Sequence, residues 1–129
     1  MRTLNIRGFV RKSDHGENMN KRIQALGRLK AGVMNKTEAA YAQALEIEKR
    51  CGIIAWYHFE GMKFRLADNT FYTPDFMAMR SDGRLEAHEV KGFWTDDARV
   101  KIKVAASLYP IQFIAVKKLK GGGWDIEEF

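Results

Sequence analysis

Asp75 follows a proline in YTPDF (72–76), and Glu89 and Lys91 stand two apart in HEVKG (88–92). Charged side chains in apolar strand runs cost free energy unless something pairs with them, so both stretches mark a site. Between them lies SDG (81–83), a turn sequence. A three-residue loop with Gly83 in the left-handed conformation would pair Arg80 with Arg84 and set Asp75 opposite Glu89. A two-residue loop would instead pair Asp75 with Val90 and separate the two carboxylates. In the first register Asp75, Glu89 and Lys91 share one face of a hairpin. Adjacent carboxylates repel and stay ionised together when a cation lies between them. An all-oxygen pair suits Mg²⁺, with Mn²⁺ as a substitute, held by one or two carboxylates, waters and phosphate oxygens. Lys91 beside such an ion can orient or help deprotonate a water. The chemistry that fits is phosphodiester hydrolysis.

The elements that must position these residues are legible around them. NKTEAAYAQALEIEKRCG (35–52) has an N-cap residue in Asn35, a stop in Gly52, and an apolar stripe of Ala40, Tyr41, Ala44, Leu45, Ile47 and Cys51. IIAWYHFE, MKFRL and FYTPDFMAM then read as strands, with ADNT as a turn, and the meander continues through RLEAHEVKG. Thr95 or Asp96 can cap a helix from about Asp97 to Tyr109. Pro110 ends it, IQFIAV is a short buried strand, and GGGWDIEEF adds a last edge strand. Helix, three or four strands, helix and strand make an α/β domain with a central mixed sheet flanked by helices. Residues 1–34 read as a basic arm, an extended segment with a weak helix from Met19 to Met34, and residues 35–129 as the domain.

Composition bounds the function. The 129 residues fit one core, and 46% hydrophobic content with eight Phe and three Trp argues against disorder. The formal charge of +6 is uneven: residues 1–36 carry nine Lys/Arg against Asp14 and Glu17, residues 37–129 thirteen against fourteen acidic residues. A basic arm bearing Arg11, Lys12, Lys21 and Arg22 suits a polyanion, with binding that weakens in salt; a solvated tail is the plainer alternative. On the second helix Arg99 and Lys103, four apart, are placed to grip phosphates, with Lys101 on another face. The lone Cys51 cannot form an internal disulfide, and no signal pattern or membrane-length apolar run is present, so a cytoplasmic protein is expected. His58 and His88 lack zinc-site spacing with Cys51 and read as strand residues, His88 facing away from Glu89.

TPDF followed by HEVKG resembles the PD-(D/E)xK nuclease motif, and YTPDF with EVKGFWTDDARVK is similar to the endonuclease I group of phage Holliday junction resolvases and related phage nucleases, over about residues 35–116. The resemblance implies a restriction-endonuclease-like core of helix, three strands, helix and strand. It assigns Asp75 and Glu89 to a metal, adds the Val90 carbonyl as a ligand, gives Lys91 the attacking water, and brings Glu38 to a second metal or its waters. It implies a structure-selective DNA endonuclease of phage or prophage origin, acting in the host cytoplasm as a homodimer on four-way junctions. The basic N-terminal arm and the lack of a long basic C-terminal tail depart from that group.

Other readings stand beside these. Glu38, three residues after Asn35, also fits a capping box; Asp75 a turn; Glu89 and Lys91 an exposed charge ladder. Trp94 can stack on a splayed base, but Trp56, Trp94 and Trp124 are each more often core or edge packing residues. At the level of function, the alternatives are a nuclease for linear or mismatched duplex and a DNA-binding module without hydrolysis, which would be indifferent to Mg²⁺.

Overall fold

A computed structural model of the chain describes residues 32–129. Arg11, Lys12, Lys21 and Arg22 lie outside them, as does most of the helix expected from Met19. Its last positions, 32–34, are turn and coil, in keeping with the left-handed Gly32 at φ +83°.

Helix α1 (Lys36–Arg50) starts directly after Asn35. It closes at a left-handed Gly52 (φ +77°), where Ile53 N–H reaches the Glu48 carbonyl at 2.9 Å and Gly52 N–H that of Lys49 at 3.1 Å. Those bonds satisfy carbonyls that the helix leaves open. Its buried stripe is narrower than the sequence indicates. Tyr41 and Leu45 are buried, whereas Ile47 is 63% exposed and Cys51 is exposed. Ile47 lies roughly 200° around the helix from Leu45, and Cys51 falls beyond the last turn.

Seven strands and a second helix follow: β1 (Ile54–Phe59), β2 (Phe64–Ala67), β3 (Thr70–Tyr72), β4 (Phe76–Arg80), β5 (Leu85–Lys91), α2 (Asp96–Leu108), β6 (Gln112–Lys118) and β7 (Trp124–Glu128). The main sheet runs β1-β4-β5-β6-β7, mixed because β5 and β6 are parallel while the other pairs are antiparallel. The α2 crossover connects the parallel pair, which a tight hairpin cannot. Thr95 caps α2 by accepting from Ala98 N–H at 3.3 Å.

FYTPDFMAM is not one strand, and the meander fails with it. Thr73–Asp75 belong to no strand, β3 pairs only with β2 in a separate two-stranded sheet, and β1 pairs directly with β4. Pro74 is the reason: it has no N–H to donate, its φ is fixed, and it biases the residue before it. Five strands therefore precede α2. Leaving out the β2–β3 excursion, the chain reads helix, three antiparallel strands, helix, parallel strand, then the edge strand β7.

Both faces of the sheet are covered. On the α2 side the core comprises Phe64, Tyr72, Met77, Ala87, Ile102, Ala105 and Phe113. On the α1 side Tyr41 meets Phe76 edge-on at 5.6 Å, and Phe59 packs on the same ring at 5.2 Å. His88 points there too, away from Glu89, with Nδ1 at 2.7 Å from the Tyr41 hydroxyl and Nε2 at 3.0 Å from Glu86. That hydrogen bond from His88 is the main cause holding the Glu86 carboxyl below the usual range. Among the described residues no helix is long and apolar enough to cross a membrane.

Candidate active site

The hairpin adopts the three-residue loop. Arg80 N–H donates to the Arg84 carbonyl at 2.8 Å, Gly83 N–H to that of Arg80 at 2.9 Å, and Gly83 is left-handed at φ +89°. Phe76 lies across from His88 and Met79 from Leu85, a register that continues to Asp75 and Glu89. Asp75 sits at the entry to β4, where Pro74 releases the chain from β3. Its Oδ2 accepts from Val90 N–H at 2.8 Å, which ties the carboxyl to the end of β5.

Glu89 is 8% exposed, and both its oxygens are engaged. Lys91 Nζ lies 2.9 Å from Oε1, as expected for two residues on one strand face, and the Tyr72 hydroxyl donates to Oε2 at 2.7 Å. Burial, then the charge of Glu89, raises the Tyr72 hydroxyl far above its ordinary range, so it remains a donor.

Asp75 is the most perturbed carboxyl of the cluster. Burial first, then the neighbouring Glu89, pushes it up to about 8; the Val90 N–H opposes the rise, while the charge of Glu38 and a hydrogen bond with it add to it. Two carboxyls share a hydrogen bond when one keeps a proton. Glu38, in the first turn of α1, thus meets Asp75 across the fold. Glu38, Asp75, Glu89 and Lys91, drawn from a helix and two strands, form one cluster.

Its chemistry fits a hard divalent cation. The donors are all oxygen, and burial followed by repulsion from Glu89 raises the Asp75 carboxyl, a condition that a bound cation relieves. Among the described residues no three His, Cys, Asp or Glu side chains form a ready metal cage. Mg²⁺ needs none, because it retains waters and binds through one or two carboxylates plus substrate oxygens.

The cationic residues of α2 separate differently from expectation. Arg99 is committed: its guanidinium makes two bonds to Glu127 of β7, at 2.5 and 3.1 Å, and lies 4.5 Å over the Trp94 ring. Trp94 also packs against Phe129 at 5.8 Å, so it is a packing residue. Hydrogen bonding to Arg99 is what chiefly lowers the Glu127 carboxyl, and the Lys103 charge contributes. Arg99 therefore faces β7, with Lys103 near enough for its charge to act on Glu127. Lys101, which the sequence placed on another face, is the one that lines a groove of about 330 Å³ with Glu89, Phe71, Tyr72, Thr73, Asp97 and Ala98. A wider groove of about 830 Å³ at the Gly83 end of the hairpin does not include these carboxylates. On the expectation of a nucleic-acid partner, Lys101→Ala should weaken DNA binding and lower its salt slope by about 1. Arg99→Ala should leave that slope unchanged and reduce thermal stability; titrating a labelled duplex across salt concentrations separates the two.

Tyr72 is the residue bonded into this cluster that sequence reasoning missed. Its link to Glu89 depends on the β2–β3 excursion: MKFRL, ADNT and FYT gave the two strands and their turn, but nothing local showed that the pair leaves the main sheet and carries Tyr72 to Glu89. Tyr72→Phe keeps the ring against Phe113 and removes the donor to Glu89. A loss of roughly tenfold in metal affinity is expected, the scale set by partners that orient metal ligands, and calorimetric Mn²⁺ titration would measure it. Compared with known proteins, the chain matches no family model, no curated protein and no solved structure.

Proposed function

We propose that the protein is a metal-dependent DNA endonuclease with a restriction-endonuclease-like core, hydrolysing phosphodiester bonds at the cluster of Glu38, Asp75, Glu89 and Lys91. The observation that carries this reading is the meeting of Asp75, raised to about 8, with Glu89, Glu38 and Lys91 at one end of the sheet. The order of helix, three antiparallel strands, helix and parallel strand supports the core assignment.

Asp75 and Glu89 would hold Mg²⁺ or Mn²⁺, with the Val90 carbonyl and Glu38 as further ligands. The ion, when bound, supplies positive charge that stabilises the attacked phosphate and acidifies a water. Tyr72 and Lys91 fix the two oxygens of Glu89, so the carboxylate is oriented before substrate arrives. Val90 N–H does the same for Asp75. Lys91, 22% exposed at its side chain, can still reach and orient a water at the phosphate. Lys101 faces the same groove and can pair with a phosphate.

Branched DNA, four-way junctions above all, is the proposed substrate, with two copies of the chain cutting two strands symmetrically. The test is cleavage of a labelled four-way junction beside a linear duplex of matched sequence in Mg²⁺. Paired cuts near the branch point support a junction resolvase. Equal cutting of both DNAs keeps the nuclease and removes the junction preference.

A further inference from the structure

Phe71 occupies an unusual place for a large apolar residue. It is 41% exposed on the short strand β3, outside the core cluster, while the next residue, Tyr72, turns inward to Glu89. The alternation of the strand therefore puts one aromatic ring onto the site and the other onto the wall of the groove that reaches it. Lys63 of the preceding loop lies 4.5 Å from the Phe71 ring centroid. Across the groove stands Lys101, on the N-terminal half of α2. A single exposed apolar residue ordinarily needs no explanation. Here it lines a groove with a candidate catalytic carboxylate and Lys101 and has Lys63 over its ring, a combination of positive charge and aromatic face that suits a nucleic-acid strand.

Bases inside a continuous duplex stack on both neighbours and have no free face. A nucleotide that is unpaired, bulged or at a branch does. We propose that Phe71 is a specificity-determining residue that stacks on an unstacked nucleotide beside the scissile phosphate, so that the substrates are DNAs carrying such a nucleotide. Lys101 holds a phosphate of the same strand, and Lys63 adds positive charge behind the ring. This rests on the nuclease reading of the Glu89 site and extends it from reaction type to substrate class.

The test measures binding and cleavage separately. Fluorescein-labelled duplexes, one fully paired and one with a single unpaired nucleotide, are titrated in EDTA by anisotropy against the parent, Phe71→Leu and Phe71→Trp proteins. The parent is expected to bind the unpaired form roughly tenfold more tightly, the scale of one base on one aromatic ring. Phe71→Leu keeps apolar bulk and should lose that preference without changing affinity for the paired duplex, while Phe71→Trp should retain it. An equal affinity of the parent for both DNAs, or a full preference in Phe71→Leu, overturns the proposal. The same DNAs are then incubated with Mg²⁺. Cutting without preference in either assay leaves the nuclease reading standing and this inference refuted; preference in binding without cutting refutes the nuclease reading and with it the scissile phosphate beside Phe71, leaving only the stacking contact.

Discussion

Asp75→Asn and Glu89→Gln are each expected to reduce DNA cleavage by at least about a thousandfold, the several kcal/mol that charge stabilisation by a bound divalent ion supplies. Glu89→Gln removes a negative charge facing phosphate, and Asp75→Asn replaces a carboxyl that without metal keeps its proton up to about pH 8, so DNA affinity should hold or rise. Asparagine at 75 retains an oxygen to accept from Val90 N–H, so the hairpin end stays in place. Lys91→Ala should also slow cleavage, with little change in metal affinity, because Nζ contacts Glu89 without being a ligand. Rates on a labelled junction, with affinities from anisotropy, check all three. Loss of DNA binding together with loss of cleavage would count against a site whose carboxylates serve the metal.

The second large effect is on stability. Asp75 ordinarily titrates near 3.8 and is raised to about 8 in the fold, chiefly by burial and by Glu89. The folded protein therefore holds a proton that the unfolded chain has released across that interval. Stability contributed by this proton is present below about pH 4 and is lost as pH rises towards 8. On the order of 3 kcal/mol should disappear between about pH 5 and 8 in EDTA, since each tenfold difference in proton affinity between the folded and unfolded chain is worth about 1.4 kcal/mol. For a domain of this size that is a fall of roughly 10 °C or more in melting temperature. Asp75→Asn should flatten the trend and, at pH 8 in EDTA, melt above the parent. Mg²⁺ should stabilise the parent and not the variant, with affinity increasing up to about pH 8 because binding displaces the proton. Melting curves from pH 5 to 8, with EDTA or Mg²⁺, decide the matter. A parent and variant with parallel pH profiles would show that Asp75 carries no such proton.

The hairpin site was legible because its determinants are local. SDG fixes the loop, the loop fixes the register, and the alternation of β5 puts Glu89 and Lys91 on one face with His88 on the other. The helix limits were legible for the same reason: α1 starts directly after Asn35 and closes at a left-handed Gly52, and α2 starts on the Thr95 cap and ends just before Pro110, each a local signal. What the sequence concealed lies in tertiary packing. Pro74 broke a run whose β-propensity looked continuous, and the β2–β3 pair it released carries Tyr72 to Glu89. On α2, spacing alone could not show that Glu127 and Trp94 would claim Arg99, leaving Lys101 on the groove. Helical period likewise admitted Ile47 and Cys51 to a stripe that is buried at Tyr41 and Leu45 and half-buried at Ala40 and Ala44.

The most direct test is incubation of one labelled four-way junction with the parent protein and with Asp75→Asn, in Mg²⁺ and in EDTA, followed by separation of the strands. Cutting by the parent in Mg²⁺ alone, absent from the variant under both conditions, is the result expected of a metal-dependent nuclease at Asp75 and Glu89. An uncut junction, bound equally tightly with Mg²⁺ or EDTA and by both proteins, would contradict it and make the domain a DNA-binding module without hydrolysis.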